Sequence, residues 1–137
     1  MPGRVAGLSR ALRCAIYNRD TWGRASGGRL RICPRCVYCD AGVCVKLQVG
    51  ESRWALRAAT IDHVDPYGRT HPENLVTACW LCNVSKGKRH AADWKPGALE
   101  RAKRAIGKVL DIEGGRRTAR QQYPRGTNQR PRRKEAA

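Results

Sequence analysis

The sequence predicts a small α+β protein that is held together by a cysteine cluster as much as by apolar burial. Its 137 residues are enough for one domain. Phe is absent, and only four Trp and four Tyr are present, so a large apolar core is not expected. Two CxxC pairs accompany a run with the pattern of a strand, a loop, a second strand and a helix. A fold with so little apolar content needs a staple, and the cysteines can supply one.

The N-terminal region, residues 1–35, is predicted to be a basic helix followed by a loop. Apolar side chains recur at helical spacing within residues 8–19, which predicts a short amphipathic helix with an arginine-rich outer face. Cys14 on this helix is interpreted as a small apolar residue. Residues 20–35 are rich in Gly and Arg and lack periodicity, so they are predicted to form a loop.

The centre of the chain is predicted to fold as two strands and a helix. The latter part of residues 53–64 is predicted to be a strand, with Asp62 and His63 at its end. The following "DPYGRTHPEN" is dense in turn formers and is predicted to be a loop. The β-branched run "LVTAC", residues 75–79, predicts a second strand, and the helix after it is expected to continue to Gly87.

Two further segments are predicted beyond residue 95. Apolar residues recur at helical spacing across residues 96–115, which predicts one packing helix closed by Gly114 and Gly115. Residues 116–137 contain almost no aliphatic side chain, so they are predicted to be a disordered basic tail.

The two CxxC pairs predict a structural zinc site. A two-residue spacer lets both sulfurs of a pair turn toward one ion, and four thiolates complete the tetrahedron that zinc prefers. The predicted ligands are Cys36, Cys39, Cys79 and Cys82. Buried free thiols are the alternative, and Cys33 or Cys44 could replace one of these ligands. The sequence has no secretory signal and no long apolar span, so we expect a cytoplasmic, reducing setting that favours metal over disulfides.

The formal charge of +17 predicts a polyanionic partner because of where the charge lies. Residues 1–35 carry eight arginines and one acidic residue, and residues 116–137 carry eight basic residues and one acidic residue. Basic arms around a nearly neutral centre suit a nucleic acid, because each cation placed on a phosphate releases counterions. A surface that is basic only for solubility is the alternative. The sequence contains no strongly amphipathic basic helix with Trp or Phe on its other face, so a membrane surface is not the predicted partner.

A second, catalytic metal site is predicted beside the structural one. Zinc bound by four thiolates has no open position, so any chemistry needs other residues. Asp62 and Asn83 are oxygen donors suited to Mg²⁺ or Mn²⁺. Asp62 and His63 are neighbours on a strand and point to opposite faces, which suits separate tasks.

Five motifs occur in an order that resembles the HNH endonucleases of the zinc-knuckle type, including those encoded by bacteriophages. They are "RD" at residues 19–20, "CVYC", "DHVDP", "ENLVTACWLCN" and "KGKR". The resemblance implies the ββα-metal fold, also called the His-Me finger, with a nuclease core over residues 36–95. It implies that His63 is the general base and that Asn74 braces the loop that orients it. It also implies that Asp62 and Asn83 hold a divalent ion at the scissile phosphate, which would leave 5′-phosphate and 3′-hydroxyl ends.

DNA is the partner that these features predict. Lys86, Lys88 and Arg89 lie close to Asn83 in the sequence and are predicted to contact phosphates. We expect a bacteriophage protein that acts in the bacterial cytoplasm, with terminase or other packaging proteins as further partners. One alternative is a non-catalytic, zinc-dependent DNA-binding module. Another is an HNH nuclease that acts on RNA or branched DNA.

Overall fold

A computed structural model describes residues 7–21, 34–43, 45 and 58–122 of the chain. In chain order the elements are α1 (Arg10–Arg19), β1 (Ala59–His63), β2 (Leu75–Cys79), α2 (Trp80–Lys86), α3 (Ala91–Trp94), α4 (Ala98–Ile106) and α5 (Ile112–Gln122). A single 3-10 turn at Pro72–Asn74 precedes β2. The predicted small α+β fold is confirmed. No helix within the described ranges is long and apolar enough to cross a membrane.

The two strands and α2 form the centre of the fold. β1 and β2 pair antiparallel, with Ala59 opposite Cys79 and His63 opposite Leu75. Cys79 ends β2 and also caps α2, because its sulfur accepts a hydrogen bond from the amide of the helix's third residue. Gly87 ends α2 with φ of 55°, a value that favours glycine. The predicted order of strand, loop, strand and helix is therefore present.

Apolar burial is divided between two clusters, and residues of β2 contribute to both. The first cluster joins the knuckle that carries Cys36 to α3 and α4, and its members include Tyr38, Val76, Ala78, Ala91 and Ala102. The second cluster joins α1 to the sheet, and its members include Leu8, Ile16, Tyr17, Ile61 and Leu75. Neither cluster is large, which agrees with the low aromatic content of the chain.

The Arg19–Asp20 pair ties α1 to β2. Arg19 is only 6% exposed, and its guanidinium donates to the carbonyls of Pro72 at 3.1 Å and Leu75 at 2.6 Å. Asp20 pairs with the same guanidinium at 2.8 Å, and its other carboxylate oxygen accepts a hydrogen bond from the amide of Thr77. The arginine-rich outer face predicted for this helix therefore excludes Arg19, whose charge is satisfied inside the fold.

The chain leaves α1 and returns to the same place at the knuckle. Thr21 and Pro34 form an isolated antiparallel bridge, and the Arg35 amide donates to the Asp20 carbonyl at 3.2 Å. The knuckle is therefore held against the end of α1, whatever path residues 22–33 take between them.

The prediction of a single packing helix over residues 96–115 is wrong, because the structure has parts of two helices there, α4 and α5. α4 ends at Ile106 and is followed by Gly107. Its buried residues are the small Ala98, Ala102 and Ala105. Val109, which was expected to pack, is 88% exposed. The apolar periodicity therefore continues in the sequence beyond the point at which the helix stops.

α5 begins before, and continues past, the boundary predicted at residue 116. Gly115 lies inside it and packs on α1 so closely that a Cβ there would lie 2.7 Å from the Cβ of Ala15. Nδ2 of the Asn18 side chain in α1 also donates to the Thr118 hydroxyl at 3.0 Å. Residues 116–122, predicted as part of a disordered tail, are therefore helical, and docking uses small residues rather than aliphatic ones. The rest of the predicted tail lies outside the described residues.

Candidate functional site

The four predicted zinc ligands come together in the structure. They are Cys36, Cys39, Cys79 and Cys82, and their sulfurs all lie within 4.8 Å of one another. The Sγ atoms of Cys39 and Cys79 are 3.9 Å apart. Four Zn–S bonds of about 2.3 Å in a tetrahedron would separate the sulfurs by roughly 3.8 Å, so the cluster fits one zinc ion. The alternative ligands, Cys33 and Cys44, lie outside the described residues.

Burial and mutual contact raise the pKa of two of these thiols above that of an ordinary cysteine. Hydrogen bonding to Cys79, followed by burial, raises the pKa of Cys36. Burial, followed by the charge of Cys36, raises the pKa of Cys82 to about 12. Thiolates crowded in this way need a cation among them, and a zinc ion that binds here must displace protons. The cluster is therefore suited to a structural metal and not to thiol chemistry.

The candidate site for a second metal lies between β1 and α2. Asp62 is 6% exposed, and its Oδ2 accepts a hydrogen bond from the Tyr38 hydroxyl at 2.7 Å and pairs with Lys86 Nζ at 3.2 Å. Asn83 donates through Nδ2 to the Thr60 hydroxyl at 2.9 Å. Thr60 and Asp62 are two residues apart on β1 and share a face, and Asn83 and Lys86 of α2 contact that face.

Two oxygen atoms at this interface remain available to a cation. Among the described residues, neither Oδ1 of Asp62 nor Oδ1 of Asn83 accepts a hydrogen bond. A carboxylate and an amide oxygen are hard ligands, so this donor set fits Mg²⁺ or Mn²⁺, with water and substrate completing the shell. Burial raises the pKa of Asp62, and the Tyr38 hydroxyl and the Lys86 ammonium oppose that rise. A bound cation would favour the ionised carboxylate in the same direction.

Lys86 is buried beside Asp62, and not at the surface where the sequence analysis predicts a phosphate contact. It was expected to contact phosphate, but it is 1% exposed, and its Nζ donates to the His63 carbonyl at 2.7 Å besides pairing with Asp62. A buried ammonium with these partners is not available to DNA. Of the three predicted phosphate contacts, Lys88 and Arg89 are exposed. The Arg89 guanidinium also donates to carbonyls of the last turn of α2.

His63 faces the loop that follows β1. Its Nε2 lies 3.0 Å from the Thr70 hydroxyl, and its side chain is half-buried. Among the described residues, Nδ1 makes no hydrogen bond. When Nε2 carries the hydrogen and donates it to Thr70, Nδ1 bears the lone pair and can accept a proton.

Asn74 braces the loop that carries Thr70. Its Oδ1 accepts a hydrogen bond from the Asp65 amide at 2.9 Å. Its Nδ2 donates to the carbonyls of Asp65 at 2.9 Å and Arg69 at 3.0 Å. One side chain thus makes three hydrogen bonds across the loop, one of them to Arg69, the residue before Thr70.

Sequence reasoning missed three side chains that shape the site. Thr60 could have been found, since it lies two residues before Asp62 and must share its face. Tyr38 stands between two cysteines of a knuckle, where a buried phenol has no local signal. Thr70 lies in a loop whose path is set by Asn74, so its proximity to His63 cannot be read from spacing.

A comparison with protein families identifies the central part of the chain. Residues 33–89 match the family model described as HNH endonuclease. This segment is an HNH domain. Neither the curated proteins nor the solved structures gave a match. The HNH domain contains the two strands, α2 and the four-cysteine cluster, which is consistent with the fold of that family. HNH domains are usually nucleases, so a nuclease-family function follows in general terms.

Proposed function

We propose that this protein is a metal-dependent endonuclease that hydrolyses phosphodiester bonds in DNA. The proposal is carried by the placement of His63 and Asp62 at the end of β1, with Asn83 on the helix that covers the same strand. A proton acceptor and two available hard oxygen ligands, carried by the end of one strand and the helix packed on it, are the groups that phosphodiester hydrolysis needs. All three residues lie within the HNH domain.

His63 is the proposed general base. With Nε2 held by the Thr70 hydroxyl, Nδ1 is left to remove a proton from the attacking water. The imidazole is half-buried, so part of the residue is reachable by solvent. Asn74 contributes by holding the loop, as a positioning residue that does not touch the substrate.

Asp62 and Asn83 are the proposed ligands of Mg²⁺ or Mn²⁺. A cation bound there would stabilise negative charge on the scissile phosphate and on the leaving 3′ oxygen. Asp62 contributes a negative charge through Oδ1, and Asn83 contributes a neutral oxygen. The expected products carry 5′-phosphate and 3′-hydroxyl ends. Lys88 and Arg89 follow Asn83 closely and are the proposed phosphate contacts.

The deciding experiment measures conversion of supercoiled plasmid in Mg²⁺, Mn²⁺ or EDTA by the protein and by His63→Ala, at equal zinc content. We expect cleavage only with a divalent ion, and we expect the variant to be about 10²- to 10⁴-fold slower, the usual contribution of a general base. His90→Ala is the matched control, because His90 is a helix N-cap whose Nδ1 accepts from the Ala92 amide.

Equal and negligible activity of the protein and His63→Ala, with DNA still bound, would instead support the non-catalytic DNA-binding module. Cleavage that depends on His63 but occurs only on RNA or on branched DNA would keep the chemistry and change the substrate. A role beside terminase or other packaging proteins of a bacteriophage stays a prediction.

Gly68→Ala tests whether the braced loop matters for the reaction. A Cβ at this position would lie 2.7 Å from Asn74 Nδ2, so the amide or the loop must shift. Because misplacement of an active-site group by about 1 Å can cost 10²-fold in rate, we expect cleavage to slow by about 10- to 100-fold in a folded, zinc-loaded variant. Gly42→Ala is the control, since a Cβ there meets nothing within 4 Å. Equal rates for both variants would show that the loop tolerates the shift.

A further inference from the structure

The cysteine cluster and the candidate reaction site are joined by one side chain. Tyr38 lies between Cys36 and Cys39 in the knuckle and is 2% exposed. Its hydroxyl donates to Oδ2 of Asp62 at 2.7 Å, although the two residues are 24 positions apart in the sequence. The carboxylate proposed to bind the catalytic cation is therefore in direct contact with the structural zinc knuckle.

Contacts of its ring and of the neighbouring backbone fix the orientation of the Tyr38 side chain toward Asp62. Its ring meets Trp94 edge to face, with centroids 5.1 Å apart and an interplanar angle of 85°. The neighbouring backbone is fixed as well, because the amide of Val37 donates to the Thr77 carbonyl at 2.9 Å and that of Cys36 to the Ala41 carbonyl at 2.8 Å. Tyr38 cannot turn away from Asp62 unless the knuckle or the Trp94 contact changes.

Two donors from different parts of the fold converge on one oxygen of Asp62. Tyr38 approaches Oδ2 from the knuckle, and Lys86 approaches the same atom from α2 at 3.2 Å. The terminal torsion of an aspartate is broad and roughly two-fold, so a single donor leaves the two oxygens free to exchange places. A second donor from another direction removes that freedom and leaves Oδ1 as the atom without a donor among the described residues.

We propose that Tyr38 is a positioning residue that orients the Asp62 carboxylate, so that Oδ1 is presented to the catalytic divalent cation. The zinc knuckle then does more than hold the fold, because the residue between its cysteines sets the cation affinity of the reaction site. This inference rests on the proposed function, since it takes Asp62 as a cation ligand. Tyr38 itself touches neither substrate nor cation.

The test is the affinity of zinc-loaded Tyr38→Phe for Mn²⁺ in the absence of DNA, with free Mn²⁺ measured by electron paramagnetic resonance. The substitution keeps the ring and its contact with Trp94 and removes only the hydroxyl. Loss of a partner that orients a metal ligand typically weakens metal binding 10- to 100-fold, and we expect a loss in that range. We also expect slow cleavage at low Mn²⁺ that recovers at high Mn²⁺, which a general loss of packing would not produce.

Tyr17→Phe is the matched control. Tyr17 is also buried, and its hydroxyl lies 3.5 Å from the carbonyl of Ala59 on the same strand as Asp62. Within the described part of the chain, the Asp62 carboxylate has Tyr38 and Lys86 as its partners, so the Mn²⁺ affinity of Tyr17→Phe should match that of the unaltered protein. If Tyr38→Phe loses zinc or unfolds, Trp94→Leu replaces it, because that change frees the Tyr38 ring without touching its hydroxyl and should weaken Mn²⁺ binding by a smaller factor.

Two failures of this experiment are distinguishable. If the unaltered protein binds Mn²⁺ and cleaves DNA through His63, and Tyr38→Phe does both equally well, the role of Tyr38 is overturned while the proposed function stands. If the unaltered protein neither binds Mn²⁺ nor cleaves any substrate, the proposed function and the role of Tyr38 both fall.

Discussion

Cys79→Ser is expected to leave most of the chain unfolded. Binding of a structural zinc ion contributes about 10 to 16 kcal/mol of apparent free energy near neutral pH, which exceeds the whole stability of many small domains. The apolar clusters of this protein are small, and the larger one includes three of the four cysteines. Without the metal, the knuckle, the end of β2 and the start of α2 lose their common anchor.

Serine is the informative replacement because it preserves the second task of Cys79. The sulfur of Cys79 accepts a hydrogen bond from the Cys82 amide at 3.3 Å and so caps α2. A serine hydroxyl is among the best N-caps, so the substitution does not by itself remove the cap of α2. Any large loss of stability in this variant can therefore be attributed to the metal site.

Two measurements give the readout. Inductively coupled plasma mass spectrometry gives the zinc content per chain, and denaturant unfolding followed by circular dichroism gives the stability. Cys14→Ser supplies the control, because Cys14 is 5% exposed but lies outside the cluster. Burying a hydroxyl there should cost about 1 to 3 kcal/mol and leave one zinc per chain. A Cys79→Ser protein that kept its zinc and its stability would show that Cys33 or Cys44 completes the ligand set, or that the clip is not structural.

The segment that sequence predicted best is the one in which local signals agree with the global fold. A β-branched run, a CxxC pair at a strand to helix junction and a terminal glycine all lie between residues 75 and 87, and each describes the same element. The four clustered cysteines could be grouped for a similar reason, since thiol spacing limits the ways in which one ion can be bound. The roles of Asp62, His63 and Asn83 stay predictions, although strand alternation already places the first two on opposite faces of β1.

The predictions that were wrong concern residues whose place depends on distant partners. Arg19 and Lys86 are charged and were expected at the surface, yet each is buried because a carboxylate and backbone carbonyls satisfy it. The boundary between α4 and α5 was missed because apolar spacing continues through Val109, which remains exposed. Gly115 was interpreted as a helix end, whereas the structure uses its missing side chain to bring α5 against α1.

Lys86→Met is expected to destabilise the protein by about 3 to 5 kcal/mol, the usual cost of removing one partner from a buried ion pair. The Lys86 side chain is fully buried, and that of Asp62 is 6% exposed. Methionine fills similar space, so the loss comes mainly from leaving the carboxylate without its counterion and the His63 carbonyl without its donor. Lys88→Met, two residues away on the surface, is the control and should change stability by no more than about 0.5 kcal/mol.

The destabilisation by Lys86→Met should grow with pH, and its direction follows from Asp62. Burial already raises the pKa of Asp62, and Lys86 opposes that rise, so removing Lys86 raises the pKa further. A folded state that binds this proton more tightly than the unfolded state loses stability as pH rises from the ordinary aspartate range through the raised value. Below that range the carboxyl is neutral in both states, and this part of the cost disappears. Denaturant unfolding at pH 5 and pH 8, with zinc content checked at each pH, measures the difference.

Asp62→Asn in the Lys86→Met background separates the ion pair from simple loss of packing. The double variant removes both charges, and an asparagine oxygen can still accept the hydrogen bond from Tyr38. Because replacing both members of a buried pair is often nearly neutral, the double variant should be more stable than Lys86→Met and should lose its excess pH dependence. A double variant as unstable as the single one, at both pH values, would mean that the Lys86 side chain stabilises the fold by its bond to the His63 carbonyl or by packing. The carboxylate would then be tolerated between β1 and α2 without its counterion.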